Sequence, residues 1–515
     1  MRSLSARRMV ACIASVAAVA AVVPASASAA APKTDRGEQC SGDNIVGRGS
    51  TFQNPAQLIW QPGFNTNTST IACDGTYGSK GTPKAEYRNT KSEDRGSGSC
   101  LKVFGAEKET PNREYSFCGT DEAPNETQKS EIESHKTGGG ENSLLTIPVV
   151  QGSVAVIVHL PEGCKASGEL VEKGKTYKLG RLVLDDKTIE GIYAGTINNW
   201  KEAIAAQGGS GNDSLSCTGG TAEEETPITR VVRTDHSGTT HIFKAFLEQV
   251  ETKKLKMEAY EESYDGSSTG CHAKYPAEEK TWAEVSEACQ NQRWPEAAHV
   301  VRNTETGNPG VVKLVNSTAS SIGYADLAVA REYAFFSAKA GTNKYGETHP
   351  AGGENKKGSA TKVGEQNTRF WAPIQNNLPS ETPTYADPAS KWDTEAVASS
   401  NCKNTKYIEN EEKEFPPASV RDLWNEAKAA LKEEHYAICG LTFDLAFREY
   451  FPYLSGTPFE ATGKETATTV ENYLEYEVSS KGGGKEIKDH DYEALPSAVI
   501  KEAEAGIKEI GYKVA

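Results

Sequence analysis

Ile228–Leu247, ITRVVRTDHSGTTHIFKAFL, changes character twice along its length. Ile228, Val231 and Val232 form a short β-branched run, the composition of a strand entering a core. Arg233, Asp235, Ser237, Gly238, Thr239 and Thr240 then make a polar turn with one glycine. Beyond it, Ile242, Phe243, Phe246, Leu247 and Val250 recur every three or four residues, which predicts an amphipathic helix. The polar turn therefore falls where a strand ends and a helix begins. The first N–H groups of a helix have no partner within it, and they carry partial positive charge, so such a junction suits an anion. Gly238 lets backbone approach closely, Ser237, Thr239 and Thr240 supply hydroxyls, and Arg233 adds a full charge on a planar fork of donors. Asp235 fits an anion site only if the ligand keeps a hydrogen for the carboxylate to accept. Phosphate does so at neutral pH and sulfate does not. Taken alone, the stretch also fits a plainer arrangement in which Ser237 and Asp235 cap a helix and Arg233 pairs with Asp235 on the surface.

With 515 residues the chain is long enough for two or more domains and a large core. Arg2, Arg7 and Arg8 precede an apolar run, Met9–Val23, and then Pro24-Ala25-Ser26-Ala27-Ser28-Ala29. This is the pattern of a secretory signal peptide over residues 1–29, cut after Ala27 or Ala29. No later segment is apolar enough to span a bilayer. Loss of the leader would take three arginines with it and lower the formal charge from -15 to -18. So acidic a chain lacks the basic face that nucleic acid requires, and any anion it holds must be held by local donors rather than by long-range attraction. Cys12 would leave with the leader. Cys40, Cys73, Cys100, Cys118, Cys164, Cys217, Cys271, Cys289, Cys402 and Cys439 would remain, an even set that implies disulfides in an exported protein. None of their spacings suits zinc. Cys100–Cys118 and Cys271–Cys289 are candidate pairs.

Two further junctions resemble the first. Asn44–Trp60, NIVGRGSTFQNPAQLIW, runs from Ile45 and Val46 through a glycine turn into a helical face of Phe52, Ala56, Ile59 and Trp60, with Thr51 as the expected N-cap. Gly96-Ser97-Gly98-Ser99 precedes Leu101, Val103 and Phe104. Tyr115–Pro124, YSFCGTDEAP, reads as a strand ending at an acidic turn around Asp121. Thr146–Leu160 is the most strand-like run in the chain, and a helix is predicted after Asp185 or Asp186, ending at Gly195. Thr252–Ala298 and Ala338–Lys413 are polar and read as surface insertions. Ser321–Tyr324 and Ala437–Phe447 read as strands, and Arg421–Leu431, Val470–Val478 and Ala494–Ile510 as helices. Alternating strands and helices predict α/β layers.

These pieces occur in one order: Gly47-x-Gly49-x-Thr51-Phe52, the serine turn at Ser97, Thr120-Asp121-x-Ala123-Pro124, Ile147-Pro148-Val149-Val150, Gly195-x-Ile197-x-x-Trp200, Arg233-x-Asp235-x-Ser237-Gly238-Thr239-Thr240, Ser321-Ile322-Gly323-Tyr324 and Tyr492-x-x-Leu495-Pro496. From about Asn44 to the C-terminus, the chain resembles the phosphate-binding protein, or substrate-binding subunit, of the bacterial ABC phosphate importer. The resemblance implies a type II periplasmic-binding-protein fold, with two α/β lobes joined by two crossing strands and a ligand cleft between them. The first lobe would comprise 40–151 and 437–515 and the second 152–436. Phosphate contacts would then fall on Thr51 and Phe52, Ser97 and Asp121 from one lobe, and on Arg233, Asp235, Ser237, Gly238 and Thr239 from the other. The resemblance gives the acceptor role to Asp121 and leaves Asp235 to orient Arg233. It implies an exported monomer without enzymatic activity or cofactor, whose partners are inorganic phosphate and a membrane permease.

The chain departs from the pattern in its RGSGSC turn, where Ser99 could replace Ser97, and at His236, where a small residue is usual. A different oxyanion or a scavenger working without an importer are the alternatives. A serine hydrolase or phosphatase built on Ser237 with His236, His241 and Asp235 is a weaker one, because neighbours at a helix start do not converge on one reacting atom and no G-x-S-x-G elbow is present. His236 is expected on a solvent-facing loop and His241 on a helix surface.

Overall fold

A computed structural model describes, apart from short breaks, residues 43–65, 84–135, 143–261, 274–335 and 436–512, with isolated pieces between 341 and 430. The leader at 1–29, the Cys271–Cys289 pair and most of 338–413 and 421–431 lie outside the described residues.

β1 (Ile45–Gly49) leads through Ser50–Gln53 into α1 (Asn54–Asn65), and β2 (Ala85–Arg88), α2 (Ser97–Val103), β3 (Phe117–Thr120) and α3 (Glu126–Ser134) follow. β1 lies between β2 and β3, parallel to both. Next comes β4 (Leu144–His159), buried along its whole length, and then α4 (Asp186–Ala194). Asp185 caps α4 by accepting from the Thr188 N–H, and Gly195 ends the helix, as its sequence predicts. β5 (Thr229–Val232), α5 (Gly238–Val250), β6 (Val300–Arg302), α6 (Asn308–Ser317) and β7 (Ser321–Asp326) form the next group, with β5 parallel to both β6 and β7. β8 (Arg369–Ala372), β9 (Cys439–Phe447), α7 (Gly463–Val478), β10 (Tyr492–Glu493) and α8 (Ser497–Ile507) complete the elements that matter below.

Among the described residues one ten-stranded sheet runs in the order β6-β5-β7-β4-β9-β3-β1-β2, with β8 and β10 also paired to β4. Residues 144–153 of β4 pair antiparallel with β9, and residues 154–159 pair antiparallel with β7. The change of partner falls between Ser153 and Val154. β9 begins opposite it, with Cys439 beside Ser153. β4 and β9 are thus the two strands that cross between the halves. The β9 register slips between Thr442 and Phe443, opposite Pro148, which has no N–H to give the ladder.

Cys100–Cys118 forms as expected and joins α2 to β3 with a Cα–Cα distance of 5.1 Å. Cys164–Cys217 and Cys402–Cys439 are also bonded. Among the described residues, no helix is long and apolar enough to cross a membrane.

Two expectations need correction. Thr51 does not cap α1. The Ser50 hydroxyl takes the N–H groups of Phe52 and Gln53 at 3.0 and 3.1 Å, and α1 starts at Asn54. Nor is 252–298 wholly a surface insertion. Met257, Trp282 and Trp294 are fully buried, because the segment folds over the face of α5 that the helical pattern leaves polar. Lys244 on that face has no exposure. Its Nζ donates to Val285 O at 3.0 Å and to Arg293 O at 2.6 Å, and lies 4.3 Å from the centre of the Trp294 ring. Lys244→Met keeps the length but strands two carbonyls. It is expected to lower unfolding stability by about 3 kcal/mol in chemical denaturation, since each bond to a charged donor contributes roughly 1.5–3 kcal/mol.

Candidate functional site

The carboxyl ends of β1, β3, β5 and β7 point to one place, the usual location for a ligand in an open α/β sheet. Residues 50–53 follow β1, and Asp121 follows β3. The Arg233–Ser237 turn joins β5 to α5. The N-termini of α2, α5 and α6 face one another there, so their backbone donors add partial positive charge at a common point.

Contacts across the two halves are direct. The Gly238 N–H donates to Ser97 Oγ at 3.2 Å, and the Thr239 hydroxyl lies 3.5 Å from Asp121 Oδ2. The Asn308 N–H donates to Thr51 Oγ1 at 3.1 Å. Glycine is required at two of these approaches. A Cβ on Gly238 would lie 2.6 Å from both the Asp121 Cβ and Ser97 Oγ. Gly307, with φ at +92°, would place a Cβ 2.6 Å from Thr51 Cγ2.

Seven of the nine residues proposed from sequence join this bonded cluster through their own atoms: Thr51, Ser97, Asp121, Arg233, Asp235, Gly238 and Thr239. Phe52 and Ser237 border it. The Phe52 N–H is engaged by Ser50 Oγ, and the Ser237 hydroxyl caps α5 by accepting from the Thr240 N–H at 3.1 Å. Ser97 is the serine in the cluster, because the Ser99 hydroxyl turns back to Asp94 O at 2.9 Å. Asp235 binds Arg233 with both oxygens, at 2.7 Å from Nε and through a second bond to the other side of the guanidinium, so it orients that cation.

Sequence reading passed over three members. Asn308 accepts from Arg233 at 3.3 Å and donates to Thr239 Oγ1 at 3.2 Å, tying the cation to the start of α5. Ser50 donates its hydroxyl proton to Asp121 Oδ1. Asn291, from the segment read as a surface insertion, donates to Ser237 O at 3.0 Å.

Burial pushes the Asp121 carboxyl up to about 6. Hydrogen bonds from Ser50, Thr442 and Ser97 and the charge of Arg233 pull the other way. Burial also works against the charge on Arg233, but Asp235 beside it holds the guanidinium above its usual range. The cluster therefore offers a fixed cation, several hydroxyl and backbone donors, and one carboxylate that can accept a proton. It can hold an oxyanion that still carries a hydrogen.

The histidines are not on the surface. His236 and His241 are buried, His236 beside Glu107 and His241 between Glu122 and Ser286. His236 Nδ1 lies 3.9 Å from Glu107 and His241 Nδ1 4.0 Å from Glu122. Burial and the nearby Lys428 push His241 down to about 4, so it is neutral at physiological pH. Its Nδ1 contacts Ser286 O at 3.2 Å. The Ser237 oxygen accepts the Thr240 N–H in the α5 cap and keeps its own hydrogen to donate. A small cleft, lined by Asp121, His241, Ile242, Trp424, Lys428 and Phe443, opens beside the cluster. Among the described residues no group of three or more His, Cys, Asp or Glu side chains is placed to hold a metal.

The chain matches the family model of the PBP superfamily domain over residues 34–388. Similar solved structures include a high-affinity periplasmic phosphate-binding protein, PfluDING, bound with phosphate, at 15% identity, covering 92% of this chain and 100% of that one with a TM-score of 0.48. The phosphate-binding protein from Stenotrophomonas maltophilia is 16% identical, with 90% and 93% covered and a TM-score of 0.47. An ABC-type phosphate transport receptor from Vibrio cholerae is 12% identical, with 88% and 100% covered and a TM-score of 0.35. No curated protein gives a significant match.

Proposed function

Since the chain belongs to the PBP superfamily, we propose that it is an exported binding protein that captures inorganic phosphate between two lobes, 40–151 with 437–515 and 152–436, and delivers it to the membrane permease of an ABC importer. It works as a monomer and performs no chemistry on its ligand. The observation that carries this reading is the placement of Asp121. A buried carboxylate faces Thr239 and Ser97 in a cluster rich in donors, with Arg233 nearby. Such a site needs a ligand that presents both several acceptor oxygens and one hydrogen. Hydrogen phosphate presents both, with Arg233 supplying the counter-charge and Thr51, Ser97, Ser237, Gly238 and Thr239 the donors. Burial of the ligand between the lobes replaces its water with these groups.

Calorimetric titration with phosphate and sulfate side by side tests the reading. Phosphate is expected to bind and to be displaced by arsenate, which also keeps a hydrogen at neutral pH, while sulfate binds on the order of a thousandfold more weakly. Equal affinity for phosphate and sulfate would refute it. Asn308→Ala removes the tie between Arg233 and Thr239 and is expected to weaken phosphate about tenfold, with discrimination against sulfate retained. A loss of discrimination in that variant would move the selective contact away from Asp121.

A further inference from the structure

The bonding around Ser50 is fixed by counting. A serine hydroxyl has one hydrogen and two acceptor lone pairs. The Ser50 oxygen accepts from the N–H groups of both Phe52 and Gln53, which fills its lone pairs, and it has no exposure to water. Its single hydrogen goes to Asp121 Oδ1. The residue itself cannot turn away. Its N–H is held by Gly119 O at 2.8 Å, and its carbonyl accepts from Tyr87 and from Asn89, at 3.1 and 3.2 Å. Asp121 Oδ1 is therefore committed as an acceptor. A proton taken up by the carboxyl is therefore favoured on Oδ2, which meets only the longer contacts of Ser97 and Thr239, at 3.4 and 3.5 Å.

We propose that Ser50 is a specificity-determining positioning residue: it assigns one oxygen of Asp121 to the scaffold and leaves the other to read whether the anion carries a hydrogen. This rests on the phosphate reading above for the identity of the anion, but not for the state of Asp121. The same hydrogen bond favours the charged carboxylate, and it is the strongest of the influences opposing burial. The other charged or titratable groups facing Asp121 are Arg233 at the end of β5, Asp326 at the end of β7, Tyr87 on β2, and His241 and Lys428 in the wall of the adjoining cleft. None of them bonds to Oδ1 among the described contacts. Without the Ser50 hydrogen the charged carboxylate loses its strongest donor and stays protonated to higher pH. A proton on Oδ2 then donates to an anion that has no hydrogen of its own.

The test uses Ser50→Ala and Ser50→Thr in the full chain. The carboxyl carbon of Asp121 is followed by NMR against pH without ligand, and sulfate and phosphate affinities are measured from pH 5 to 8. In Ser50→Ala the carboxyl midpoint is expected to rise by about one pH unit, and sulfate to bind about tenfold more tightly at pH 7. Ser50→Thr, which keeps the hydroxyl, should restore both values. An unchanged midpoint in a folded Ser50→Ala protein overturns the proposal. If the midpoint moves but phosphate binds neither protein, the role of Ser50 stands and the assignment of the ligand falls. Should Ser50→Ala not fold, the unmutated chain decides: a Ser50 hydroxyl proton that exchanges slowly and shows contact with Asp121 supports the proposal, and one that exchanges as freely as a solvated hydroxyl overturns it.

Discussion

Asp121→Asn is expected to erase most of the preference for phosphate over sulfate, a change of about a thousandfold in the ratio of their affinities at pH 7. The geometry says why the amide inverts the site. Ser50 donates at Oδ1, so an asparagine must place its carbonyl there and its NH₂ where Oδ2 now faces Ser97 and Thr239. The selective position changes from acceptor to donor. Sulfate then meets only donors, while phosphate loses the partner for its hydrogen. The unmutated protein should show the same inversion through pH. With the carboxyl held up at about 6, falling pH protonates Asp121 through that value, and a protonated carboxyl donates as the amide does. Sulfate binding should therefore appear as pH drops below about 6 and disappear as it rises. In Asp121→Asn the affinity for sulfate should be flat over the same range. A sulfate profile with the same midpoint in both proteins would assign the titrating group elsewhere.

Arg233→Met is expected to abolish phosphate binding and to cost about 3–5 kcal/mol of stability, measured by calorimetry and by denaturant unfolding. Arg233 is almost wholly buried, and among the described residues the only full negative charge it binds directly is Asp235. Removing the cation strands that carboxylate inside the protein and also removes the counter-charge for the ligand. The two effects separate in the double variant Arg233→Met with Asp235→Leu. Replacement of both partners by apolar groups should recover most of the stability and none of the binding. Recovery of binding in the double variant would show that the cation is structural only.

Much of this arrangement is legible from residue order, because strand–turn–helix junctions carry strong local signals. β4 is mostly apolar, and α4 has its acid cap and its closing glycine, so both are found within a residue or two. The Arg233–Thr240 block is legible for the same reason. Polar donors between a β-branched run and an amphipathic helix have few other uses. What stays hidden depends on contacts between distant segments. Ser50 falls at a position written as variable between Gly49 and Thr51, and its importance comes from Asp121, which is far away along the chain. Asn308 sits in a Gly-Asn-Pro-Gly stretch that reads only as a helix start. His236, His241 and Lys244 look like surface residues until another segment covers them, and nothing in a local pattern records that cover. Thr51 is a better cap by type than by place. The preceding serine reaches the helix first and leaves Thr51 for Asn308.

β4 has a mechanical consequence. One continuous strand carries the ladder of β9 along its first part and that of β7 along its last, and the change occurs between adjacent residues. Spreading the halves apart cannot slide one ladder over another without breaking a whole row of hydrogen bonds. The cheaper deformation is torsion at Ser153–Val154, with matching rotation where Ile438 bonds Val154 across the gap. A turn of a few degrees at that step is expected to shift Thr239 relative to Asp121, one on either side of it.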